Sequence, residues 1–196
     1  MSGGQEMTDE ITLRQRLRLE TAADHARVDE LFSQFDLTGP VGLGEFLSVS
    51  YLAYDCLGEV LQPYDGMVPP APPLEDILAD LSGLGRPRPD WPQRPSLSGI
   101  HPLGVIYVIA GSHLGGTILH QRWRASDDER VKGAGRFLTF LSDRACWSQF
   151  LRFLPSVDIG QMERNHVVES AKACFSLYET ACRYVMKETA HGAKRP

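Results

Sequence analysis

The chain has 196 residues, enough for one domain with a substantial core, and its 42% hydrophobic and 23% charged residues are the balance of an ordinary globular protein. A formal net charge of −5 excludes a broad electrostatic attraction to nucleic acid. The four cysteines (Cys56, Cys146, Cys174, Cys182) form no Cys-x-x-Cys pair and no zinc spacing, so they are read as reduced, mostly buried thiols of a cytoplasmic protein.

The polar, acidic stretch from Met1 to Asp9 does not have the form of a signal peptide, and residues 1–8 are taken as a tail before a domain spanning 9–190. No window is expected to approach a membrane span, so neither membrane nor nucleic acid is expected as a partner. Residues 191–196 form a second tail.

The first long periodic segment is predicted from an N-cap at Thr8 or Asp9 to about Phe35, ended by the turn residues Asp36 to Pro40. Its apolar stripe reads Leu13, Leu17, Thr21, His25, Val28, Phe32, the spacing of one helical face. A second helix carries Phe46, Leu47, Val49, Tyr51, Leu52, Tyr54, Leu57 and Leu61, apolar on more than one face as in a central position. The proline-rich segment from Pro63 to Pro73 can be neither helix nor central strand. A short helix over Leu74 to Leu84 and another proline-rich loop to about Gly99 follow.

A further helix is predicted from Pro102 to Trp123, with proline in its first turn. Asp127 to Gly135 reads as a polar, exposed connection, and Phe137 to Phe153 as a short helix or two rich in aromatics. Asp158 is expected to cap a last long helix reaching about Glu188. No strand alternation and no internal repeat is visible. The expected fold class is all-α: a single-domain helical bundle with short accessory helices.

Two anomalies bear on function. His25 stands where a helix should present leucine to the core, so its imidazole must hydrogen-bond inside or bind something. Arg18, two turns earlier, is expected on the same face about 10 Å away. The other anomaly is Gly111-Ser112-His113-Leu114-Gly115-Gly116 inside an apolar helix. Each interior glycine costs about 1 kcal/mol relative to alanine, which close helix contact or a flat ligand against the backbone would explain. Together the anomalies point to one cavity between two helices.

The segment Leu17-Arg18-Leu19-Glu20-Thr21-Ala22-Ala23-Asp24-His25 resembles the proximal helix of haem oxygenases, with its Thr-x-x-x-His element, and Tyr107 to Gly116 resembles their glycine-rich distal helix. The variant is most similar to bacterial members, including those that supply biliverdin to phytochromes, and the resemblance covers essentially the whole chain. It implies a haem-oxygenase-like bundle with haem, both substrate and prosthetic group, held between a proximal and a kinked distal helix. It implies oxidative ring opening to biliverdin, carbon monoxide and ferrous iron, with oxygen and an external electron donor such as a ferredoxin or reductase.

On this resemblance His25 is the axial ligand of the haem iron. Glu20, Asp24 or another nearby carboxylate would orient its second nitrogen. Arg18, Thr21 and Tyr107 are expected on the haem side, Arg18 and Tyr107 toward propionates. Gly111, Gly115 and Gly116 would lie against the opposite face, where Ser112 replaces the aspartate of animal-type members and holds water or leaves space. His113, about 100° round the helix from Ser112, is expected beside or outside the pocket. Phe175 and Tyr178 are candidate walls.

Other readings are a haem carrier or sensor that does not degrade its ligand, and a di-iron bundle. Glu163-Arg164-Asn165-His166 has the Glu-x-x-His spacing, but no second copy exists, so both residues are expected on the surface. Thiamine-type hydrolysis would need an activated cysteine, which no local context suggests.

Overall fold

The computed structural model describes residues 11–192, and among them the structure is all helical, with no strand. The elements are α1 (Leu13–Glu20), α2 (Ala22–Ser33), α3 (Pro40–Val60), α4 (Leu74–Gly83), α5 (Pro102–Arg124), α6 (Glu129–Gly133), α7 (Arg136–Ser142), α8 (Ala145–Phe153) and α9 (Gln161–Gly192), with a 3-10 turn at Leu154–Ser156. The all-α class expected from the sequence is thus observed.

The first predicted helix is two. Thr12 caps α1 through a reciprocal pair with Gln15, a capping box of the kind worth about 1 kcal/mol. The expected cap at Thr8 or Asp9 lies outside the described residues. Thr21 (φ −103°, ψ 2°) interrupts the helix, and its hydroxyl donates back to the Leu17 carbonyl at 2.8 Å. The backbone ladder is kept on both sides of the interruption, from the Thr21 N–H to the Leu17 carbonyl and from the His25 N–H to the Thr21 carbonyl. Val28 remains in the core while His25 emerges, its side chain 56% exposed.

The α5 helix lies at the centre, packed on α7, α8 and α9, and α3 packs on α9 and α4. Phe35, Phe46, Tyr54, Phe137 and Phe150 are fully buried between these layers, each contributing about 2 kcal/mol of apolar burial. Gly104 and Gly116 permit the closest approaches: a Cβ at Gly104 would stand 2.5 Å from the Val167 carbonyl oxygen of α9, and one at Gly116 would stand 2.0 Å from that of Leu141 in α7.

Three expectations are corrected. The Asp127–Gly135 connection contains α6, and its Val131 is fully buried and accepts the Trp123 indole N–H at 2.6 Å. The last helix starts at Gln161, past Asp158. And α5 is long and apolar enough to cross a membrane by length and composition, although half of that apolar window is buried within the fold, as in a core helix. The four cysteines are free and buried.

Candidate functional site

The site begins on the first turn of α2, just past Thr21, where α1 ends. At that turn His25 Nδ1 lies 2.9 Å from the Asp29 carboxylate, one turn further along α2. The imidazole edge rests on Phe175 of α9, ring centroids 5.6 Å apart. Its Nε2 has no partner among the described residues, so the ring is bonded at one nitrogen and open at the other. Asp29 was not singled out in the sequence, although its i, i+4 spacing from His25 is the available signal. Glu20 and Asp24 are committed elsewhere, to Arg16 and Arg27.

One turn beyond Phe175, Tyr178 of α9 packs on Phe32 of α2, centroids 6.1 Å apart. Its phenol also interacts with that of Tyr54, which in turn neighbours the Ser112 hydroxyl of α5. Thus α9 and Tyr54 connect the His25 turn to the glycine segment. The Tyr54 hydroxyl is fully enclosed and makes no well-formed hydrogen bond; burial pushes its pKa up to about 12 and that of Tyr178 well above the usual phenol range. The Ser112 hydroxyl donates to the Ile109 carbonyl at 2.7 Å, leaving its lone pairs free to accept.

The α5 glycines divide into two kinds. Gly115 would meet nothing within 4 Å if it carried a Cβ, and Gly111 would meet only the Trp147 ring edge at 3.9 Å. With exposed Leu114 and Ile118 they form one apolar, bare face at i, i+3, i+4, i+7 spacing. Gly116 belongs to the other kind. It is spent on contact with α7, so its expected place against a ligand is corrected to a packing role.

Two more expectations change. Thr21 is 1% exposed with its hydroxyl satisfied inside the helix, so it contributes a bend and no ligand contact. Arg18 is exposed without an ion pair among the described residues, and α1 ends between it and His25. Tyr107 is half-buried against Trp147 and Phe150, centroids 6.1 and 6.0 Å away. His113 is buried on the α7 side, off the Ser112 face.

A separate polar cluster closes one end of the bundle. His101 caps α5 by accepting the Leu103 N–H at Nδ1 (3.2 Å), and its Nε2 lies 3.1 Å from Glu163. Tyr64 donates to the same carboxylate at 3.1 Å, and His166 Nε2 lies 2.7 Å from the Gly99 carbonyl oxygen. These hydrogen bonds hold the Glu163 carboxyl below its usual range. The Glu-x-x-His pair, expected as plain surface, is therefore a tertiary tie. No group of three or more His, Cys, Asp or Glu among the described residues is arranged to hold a metal ion, which leaves the di-iron reading without a site.

Burial raises the thiol pKa of all four cysteines, to about 12 for Cys174 and Cys182, so none is an activated nucleophile. Two surface hollows, one lined by Cys56, Glu59, Arg94 and residues 95–98 and one by residues 71–76 with Phe140, touch neither His25 nor the open glycines.

Compared with known proteins, the chain matches no family model and no curated protein.

Proposed function

We propose that this protein is a haem oxygenase: it binds haem between α2 and α5 as substrate and prosthetic group and opens it to biliverdin, carbon monoxide and ferrous iron. The observation that carries this reading is the His25–Asp29 pair. A histidine hydrogen-bonded at Nδ1 to a carboxylate and open at Nε2 has the arrangement common among metal-ligating histidines, whereas a core histidine would have both nitrogens satisfied or enclosed.

The residues present fit haem. Gly111 and Gly115 offer bare backbone to a flat ring, Leu114 and Ile118 extend that apolar face, and Trp147 borders it. Bound haem supplies the iron at which oxygen is activated and the ring that is oxidised. His25 would hold that iron through Nε2, with the Asp29 carboxylate hydrogen-bonded at Nδ1 and raising the basicity of the ring. Gly111 and Gly115, without side chains to hold it off, would let a flat ring approach to backbone distance.

The Ser112 hydroxyl, with an acceptor lone pair to spare, holds a water there as proton source, and the Tyr54 phenol stands behind it as a buried donor. Arg18, exposed and without an ion pair among the described residues, is available to a propionate, with the Tyr107 phenol at the α8 side. Electrons come from an external donor, a ferredoxin or reductase, and the product is suited to supply a phytochrome. Free, buried cysteines and a soluble reductant suit the cytoplasm.

The test is a hemin titration followed by ascorbate, or ferredoxin with its reductase, under air. A Soret band that forms at one equivalent and then gives way to broad red bilin absorbance is the expected result. A Soret band that persists under turnover would make the protein a carrier or sensor. No binding would overturn the haem reading.

A further inference from the structure

His113 follows Ser112 in α5 but turns the other way, into the interface with α7, and it is 2% exposed. Its Nδ1 lies 2.6 Å from the main-chain oxygen of Asp143, the C-cap of α7. A carbonyl only accepts, so Nδ1 carries the proton and Nε2 is a bare lone pair. That Nε2 is enclosed without a partner, and the Phe140 ring stands against the imidazole, centroids 4.9 Å apart. Burial lowers the His113 pKa, and Asp143 is the charged group that bears on it; the Asp143 carboxylate itself accepts the Ala145 N–H at 2.9 Å.

Asp143 and Arg144 make the corner between α7 and α8. From that corner α8 carries Trp147 to the rim of the bare glycine face, where its ring edge lies 3.9 Å from the position a Gly111 Cβ would take. Gly116 fixes the α7 side of the joint by backbone contact with Leu141, but the corner itself is tied to α5 by the His113 bond.

We propose that His113 is a positioning residue: by donating from Nδ1 to the Asp143 carbonyl it sets the α7–α8 corner and thereby the placement of Trp147 beside Gly111. That Trp147 walls a haem site rests on the function proposed above; the mechanical link does not. The device works only with a neutral imidazole, because a second proton would put an N–H on Nε2 with no acceptor. Acid therefore loosens the Trp147 wall.

The experiment uses the full chain labelled with 5-fluorotryptophan, which gives one fluorine resonance for each of the three tryptophans. Loss of a signal in Trp147→Phe assigns the reporter. His113→Leu should shift and broaden the Trp147 signal while leaving those of Trp91 and Trp123 in place, and His113→Asn, which keeps a donor, should restore it. A folded His113→Leu with an unmoved Trp147 signal would overturn the proposal. Should that variant not fold, acidification of the unmodified protein from pH 7 decides. A Trp147 shift that titrates below the ordinary histidine pKa and vanishes in His113→Asn supports the link, and no shift overturns it. All these readings are made without haem, so a failure of hemin to bind counts only against the proposed function.

Discussion

Asp29 stands one helical turn from His25 with its carboxylate 2.9 Å from Nδ1, so the ring on the exposed face of α2 is held at one nitrogen and open at the other. Both side chains are largely exposed, so the pair contributes little to stability; its consequence is orientation. We predict that His25→Ala abolishes the axial imidazole signature of a hemin complex while leaving helical content intact. Asp29→Ala should keep the signature and weaken binding about tenfold, the lower range for losing an outer partner of a metal ligand. Equal hemin affinity in Asp29→Ala, measured by Soret titration, would sink the orienting role.

The adjacent glycines of α5 should behave oppositely. Gly116→Ala drives a Cβ into the Leu141 backbone and should destabilise the fold by about 3 kcal/mol, read as a lowered denaturation midpoint. Gly115→Ala faces open space and should stabilise the helix by up to about 1 kcal/mol. Gly115→Leu should fold normally and block hemin. Similar melting of the two alanine variants would contradict the division of the glycines.

Asp80 is 1% exposed and accepts the Arg136 and Phe137 N–H groups, at 3.2 and 2.9 Å, at the start of α7. Asp80→Ala should cost about 2 kcal/mol through two buried donors left unpaired. Burial outweighs those bonds and raises the carboxyl pKa, so the folded state binds the proton more readily than the unfolded chain. Through Asp80, stability should therefore fall as pH rises from the ordinary carboxylate value of 3.8 through the raised folded pKa. Urea midpoints across that range for the parent and Asp80→Asn check the sign: the parent's midpoint should fall relative to that of the variant as pH rises.

His113 has the opposite linkage. Its pKa is lowered on folding, so its contribution is complete above the ordinary histidine value of 6.5 and is lost as pH falls below it. His113→Asn should remove this part of the acid sensitivity, and urea midpoints at pH 7.5 and 5.5 measure it. An unchanged pH dependence in the variant would assign the sensitivity to another group.

Tyr54→Phe removes a buried hydroxyl that has no well-formed partner, and should leave stability unchanged or raise it by about 1 kcal/mol. A loss above about 1 kcal/mol in chemical denaturation would mean that the phenol makes a bond in solution.

Much of the fold was legible in the residues because helical periodicity is a local property. The apolar runs around Phe46 to Leu57 and Val167 to Val185, the prolines of residues 63–73 and Pro102 at its helix start all mark elements that the structure contains. The anomalies at His25 and at Gly111 to Gly116 were also visible, since a polar residue on an apolar stripe and glycines within a helix oppose local preference.

Long-range contact decided the rest. The sequence by itself determined an all-helical chain, its approximate helix boundaries and the presence of an out-of-place imidazole. Only the tertiary structure decided that the first helix is interrupted at Thr21 and that His25 lies exposed, and that Gly116 packs on Leu141 while Gly115 stays bare. It likewise decided that Glu163 ties to a histidine 62 positions away. Spacing along a helix assigns a residue to a face, but which faces are covered, and by what, depends on how helices distant in the chain pack together.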